Sequence, residues 1–168
     1  MTVALMPDDP SPEPEIDLRI EDETWLKDLD ESAFLALAST ALNAAARETR
    51  TGRVDILLTD DDAMQVLNRD WRQKDKPTDV LSFPSDDEAF EQGFLGDIAL
   101  GLGVVKRDCD TMKRAFDAHF SHLLIHGYLH LLGFDHETDA DAEEMEPLET
   151  KILAELGYSD PYSPKVEK

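Results

Sequence analysis

The sequence predicts an α+β fold: a small mixed four-stranded sheet packed with about five helices in a single domain. Three observations predict it. Short apolar or alternating runs of strand length crowd the first hundred residues. Helical periodicity dominates from about residue 104 onward. One helical pattern separates the first two strand patterns, so the strands do not follow one another as simple hairpins. At 168 residues the chain has the usual size of one domain. It is long enough to bury roughly 70% of its unfolded surface without disulfides.

The elements follow in order. PDDPSPEP at 7–14 is acidic and Pro-rich, so residues 1–15 read as a tail. IDLRI (16–20) alternates and predicts a strand. Asp30 or Ser32 can cap a helix over 33–49, with Gly52 as a stop. RVDILLT (53–59) predicts the second strand. Asp60, Asp61 and Asp62 suit the positive end of a short helix carrying Met64, Val66, Leu67 and Trp71. DVLSF (79–83) and GDIALG (96–101) predict the third and fourth strands, with 84–94 as a loop between them. The region 104–132 predicts two helices with a break near 110–117. Thr138, with Asp141 three residues on, resembles a capping box for a last helix over 139–156, and Gly157 sits at its C-cap. The domain is expected over 16–162, with 163–168 as a C-terminal tail.

The net charge is -22, so the body of the protein should repel nucleic acid and anionic membranes. Lys and Arg concentrate between Arg47 and Lys76 and between Lys106 and Arg114, and neither occurs from Ala115 to Thr150. The lone Cys109 excludes an intramolecular disulfide and fits a reducing compartment. No basic-then-apolar leader opens the chain and no apolar run nears the ~20 residues of a membrane span, so a soluble, cytoplasmic protein is expected.

All five histidines fall between positions 119 and 136, in HFSHLLIHGYLHLLGFDH. His126 and His130 are four apart, which on a helix places both rings on one face. Gly133 can take a left-handed conformation, end the helix and let the chain double back. That return would bring His136 towards the first two. Three neutral imidazoles leave a fourth position open, as catalytic zinc sites require. Imidazole also suits other divalent transition metals, so zinc is the default rather than the only choice. Metzincin-type proteases use the same spacing, but with a glutamate after the first histidine as general base. Here that position is Gly127, which cannot take a proton.

On these residues the sequence resembles the YbeY family of metal-dependent, single-strand-specific endoribonucleases. The resemblance is carried by HLLIHGYLHLLGFDH (122–136), LNRDWRQKDKPTDVLSFP (67–84) and LGDIAL (95–100), and it extends to the acidic segment 139–162. It implies an α+β fold and a zinc site of His126, His130 and His136. It also implies a functional arginine at Arg72, and a role in small-subunit ribosomal RNA maturation and ribosome quality control. Single-stranded RNA, ribosomal RNA and the ribosome or its proteins are the implied partners; neither DNA nor membrane is expected.

A zinc ion in such a site would lower the pKa of its water from 15.7 to about 7. Arg72 could stabilise charge on a phosphodiester by bidentate hydrogen bonds. By composition alone, an arginine in RDWRQKDK belongs on the solvent-facing surface; the resemblance gives it its role. Asp135 can orient an imidazole or simply occupy a turn, and His122 can sit at a cleft edge, behind the metal ligands, or equally in a plain core or surface role. His119 reads as structural, Cys109 as inert, and Asp97 and Asp79 as strand-start residues bonded to backbone. No residue is forced into the role of general base. Two other readings stay open: a zinc peptidase or amidase, disfavoured by Gly127, and a non-enzymatic ribosome-associated factor with a structural metal. Bases at Arg69, Arg72, Lys74 and Lys76, and at Lys106, Arg107, Lys113 and Arg114, could line a local attractive surface for RNA.

Overall fold

The computed structural model describes residues 13–135 and 138–162. The terminal residues 1–12 and 163–168, and His136 with Glu137, lie outside the described residues. Four strands form one mixed sheet: β1 (Glu15–Ile20), β2 (Arg53–Thr59), β3 (Val80–Pro84) and β4 (Phe94–Gly101). Their order is β1-β2-β4-β3. β1 and β4 both run parallel to β2, and β3 closes the edge antiparallel to β4.

The helices are α1 (Glu31–Glu48), α2 (Asp61–Arg72), α3 (Asp87–Glu91), α4 (Leu102–Met112), α5 (Phe116–Leu131) and α6 (Asp139–Glu155). Their starts are chemically specified. The carboxylates of Asp30, Asp60 and Asp86 accept the N–H of Ala33, Ala63 and Ala89, each at 2.8 Å. Thr138 accepts from Asp141 at 3.0 Å, the expected cap of α6. The stretch 84–94 is not all loop: Asp86 caps the short α3, whose charged sequence carries no apolar period.

Parallel pairing of β1 with β2 needs a crossover, and α1 supplies it. Val54, Ile56 and Leu58 of β2 and Leu95, Ile98 and Leu100 of β4 enter one core with α1, α5 and α6. The opposite face is partly covered by α2, through Met64 against Leu81 and Ala99. α5 lies in the middle and is buried nearly all round, including His119 and His122. Beyond its first turn the helix is therefore apolar on nearly every side, with Ser121 and the histidines as its polar residues. Gly127 lets α5 approach the sheet: a Cβ there would stand 3.1–3.3 Å from the Ile98 side chain.

Candidate metal centre

His119, His122, His126 and His130 fall on one stripe of α5. The Nε2 atoms of His126 and His130 lie 3.0 Å apart. Each ring is held from behind through its other nitrogen. Nδ1 of His130 donates to the carbonyl of Phe134 at 2.9 Å, and Nδ1 of His126 donates to Oε2 of Glu149 at 2.5 Å. A ring whose Nδ1–H is engaged has its lone pair on Nε2, and that is the tautomer a metal needs. Two nitrogens at ~2.0–2.1 Å from one tetrahedral ion stand ~3.3–3.4 Å apart, so the pair fits a divalent ion with a small adjustment.

The bracing of His130 follows from the glycine. Gly133 has φ +102, and the turn it makes sends the Phe134 N–H back to Leu129 O at 3.0 Å. The same reversal presents the Phe134 carbonyl to His130. A cleft of about 560 Å³ opens over these rings, lined by Arg72, Thr78, Asp79, His126, His130 and Asp135 among others. Arg72 therefore reaches the cleft from the last turn of α2. Asp135, immediately before His136, reaches it from the turn after α5. His136 itself lies outside the described residues.

The other bases do not gather at this cleft. Arg107 pairs with Asp61 at 3.0 Å, and Arg114 turns inward to the histidines behind the site. Arg69, Lys74, Lys76, Lys106 and Lys113 are not among the residues lining it.

Glu149 escaped the sequence reading. It is fully buried on α6, in line with Met145, Ile152 and Leu153. An acid at an apolar-stripe position was the available signal. Nε2 of His122 lies 3.3 Å from Oε1 of Glu149, and the Tyr162 hydroxyl donates to the same oxygen. Burial by itself would raise this carboxyl, but the hydrogen bonds from His122, His126 and Tyr162 outweigh it and hold it down at about 2. His122, His126 and Glu149 form one cluster able to hold a metal. Because Glu149 already engages the Nδ1 side of His126, the cleft-facing Nε2 pair is the better-built receptor. His122 is thus a buried brace behind His126. Arg114 donates to its Nδ1 at 3.4 Å, which leaves Nε2–H for Glu149.

Asp97 departs from its expected place. β4 begins at Phe94, so Asp97 sits mid-strand rather than at a strand start. Asp79 keeps the expected backbone contact, accepting from Val80 N at 2.7 Å.

A buried helix that aims braced imidazoles into an open cleft beside an arginine belongs to the metal-dependent hydrolases. Comparison with known proteins narrows the class. The family model described as Endoribonuclease YbeY matches residues 19–157. The Endoribonuclease YbeY of Bradyrhizobium diazoefficiens is 44% identical over 148 residues, covering 84% of this chain and 81% of that protein. That of Rhizobium etli is 42% identical over 163 residues, covering 88% and 92%. The solution structure of TM1509 from Thermotoga maritima aligns with a TM-score of 0.58 at 26% identity, over 88% of this chain and 99% of that one. The chain belongs to the endoribonuclease YbeY family. With the family goes the enzyme class, a metal-dependent hydrolase of RNA phosphodiester bonds, and a general association with RNA and the ribosome. Among the described residues, no helix is long and apolar enough to cross a membrane.

Proposed function

We propose that the protein cuts single-stranded RNA at one zinc ion held by His126, His130 and His136, and that it acts in maturation and quality control of small-subunit ribosomal RNA. The observation that carries the reading is the pair of Nε2 atoms 3.0 Å apart, each on a ring fixed through Nδ1. Asp135 at the cleft supports placing the next residue, His136, as the third ligand. The ion, when bound, supplies a Lewis acid to the phosphodiester group.

The chain's own residues do the rest. Arg72 holds the charge that develops on the phosphate oxygens. Glu149 and the Phe134 carbonyl keep the two rings from rotating. Gly127 replaces the glutamate a peptidase of this spacing uses, which favours RNA over peptide bonds. On so acidic a body, binding of free RNA is weak and salt-sensitive. Docking on the ribosome or a ribosomal protein raises the effective concentration.

The test is metal analysis with cleavage of single-stranded RNA and of casein, by parent and His126→Ala. The reading predicts about one zinc per chain, RNA cleavage lost with the variant or with chelator, and no casein cleavage. Casein cleavage without RNA cleavage would refute it.

A further inference from the structure

Two turns before His126, the same stripe of α5 meets a second convergence of donor groups. His119 is buried, at 2% exposure. Asp79, just ahead of β3, and Asp108, on α4, bring carboxylates to it. One ligand atom from each of the three lies within 4.8 Å of the others. Nε2 of His119 has no hydrogen-bond partner among the described residues and stands 3.6 Å from Oδ2 of Asp108. A buried ring nitrogen aimed at two carboxyls without a bond is a deficit that an ion would remove.

We propose that Asp79, Asp108 and His119 form a second divalent-cation site, binding through two carboxylate oxygens and one imidazole nitrogen, separate from the histidine centre.

The donor set suits a harder ion than a three-histidine site does, Mn²⁺ before Zn²⁺ on ligand type. The local electrostatics agree. Burial, and then the neighbouring Asp108, raise the Asp79 carboxyl, a cost to its charged form that a bound cation would offset. Burial, and then Arg114, depress His119 to about 4, so its ring is neutral at physiological pH, the form that binds metal. Arg114 spreads one nitrogen over Nδ1 of His119 at 3.3 Å and Nδ1 of His122 at 3.4 Å. When an ion takes Nε2 of His119, Nδ1 carries the proton, and Arg114 settles on His122.

The site does not act as the second metal of a two-metal phosphodiesterase. His119 and His126 are seven residues apart, about 10 Å along a helix, whereas paired catalytic ions stand about 3.5–4 Å apart. Its place suggests what it does. Asp79 also lines the catalytic cleft, so an ion there ties that wall to α4 and α5.

The experiment uses full-length protein with zinc already bound, titrated with Mn²⁺ and read by electron paramagnetic resonance. Mn²⁺ lies below Zn²⁺ in the affinity order and leaves the zinc in place. The parent is expected to take up one Mn²⁺ per chain above the weak background of its acidic surface. Asp108→Asn, at a partly exposed carboxylate, should bind it at least tenfold more weakly while keeping its zinc. His126→Ala should lose zinc and keep the Mn²⁺, which separates this site from the catalytic reading. If the parent takes up no Mn²⁺ above background, or if parent, Asp108→Asn and His119→Gln titrate alike, the site does not exist.

Discussion

Oε2 of Glu149, a fully buried carboxylate on α6, lies 2.5 Å from Nδ1 of His126 on α5. The contact fixes which nitrogen of His126 faces the cleft, so a residue well outside the histidine cluster in sequence sets the tautomer of that ring.

Glu149→Gln keeps the shape of the side chain but removes its charge, and its amide no longer fixes the ring as a carboxylate does. Loss of such a partner typically weakens metal affinity about 10–100-fold. Zinc competition against a chromophoric chelator should show that loss in Glu149→Gln, and a smaller one in Tyr162→Phe, where Glu149 keeps both histidines.

Arg72→Ala should lower RNA cleavage by ~10²–10³, the usual cost of removing a charge-stabilising donor. Arg72 is exposed on the last turn of α2, so the melting temperature should move by only about a degree. Single-turnover cleavage on a 5′-labelled RNA, with a thermal melt on the same sample, checks both. Cleavage at the parental rate would remove Arg72 from the mechanism.

Gly133→Ala has room for its methyl group, since nothing lies within 4 Å of a Cβ there. The cost comes from φ +102, which L-residues avoid. A destabilisation on the order of 1–2 kcal/mol is expected, together with weaker zinc binding, because the Phe134 carbonyl that braces His130 moves with the turn. Chemical denaturation of metal-free protein and a zinc titration separate the two effects.

Asp97 faces a row of like charges: pairing sets Asp17 opposite Asp55 and Asp55 opposite Asp97. Burial first, and then Asp55, raise the Asp97 carboxyl. A carboxyl raised in the folded state binds more protons there than in the unfolded chain. Its charge therefore costs stability as pH rises through the folded pKa, and the cost vanishes in acid. Asp97→Asn should melt higher than the parent at pH 7, by on the order of a degree or two, and the gain should shrink as pH falls towards the ordinary carboxylate range. A gain that stays constant across pH 3 to 8 would rule out the charge row as the cause.

Much of this was legible in the sequence because it is periodic or local. The strand runs alternate or are β-branched, the caps lie within three residues of the groups they bond, and His126 and His130 on α5 are separated by one helical turn. Gly133 carried its conformational role in its identity. Glu149 was harder to find because its partners come from another helix, and only its place on the apolar stripe of α6 marked it. The short α3 carries mostly charge and lacks an apolar period, so only its cap at Asp86 announces it. The alternating run from Gly96 puts Asp97 at a strand start, whereas Phe94 and Leu95 already pair or pack in the sheet. Arg72 could be recognised by resemblance, but its arrival at the cleft depends on how α2 crosses the sheet.

The measurement that reaches the central claim most directly is X-ray absorption at the zinc edge of reconstituted protein, with parent and His136→Ala side by side. The account predicts three imidazole nitrogens at about 2.0–2.1 Å in the parent, with one oxygen donor completing the shell, and one imidazole fewer in the variant. A parent spectrum with one imidazole or none, or a spectrum unchanged by His136→Ala, would contradict it.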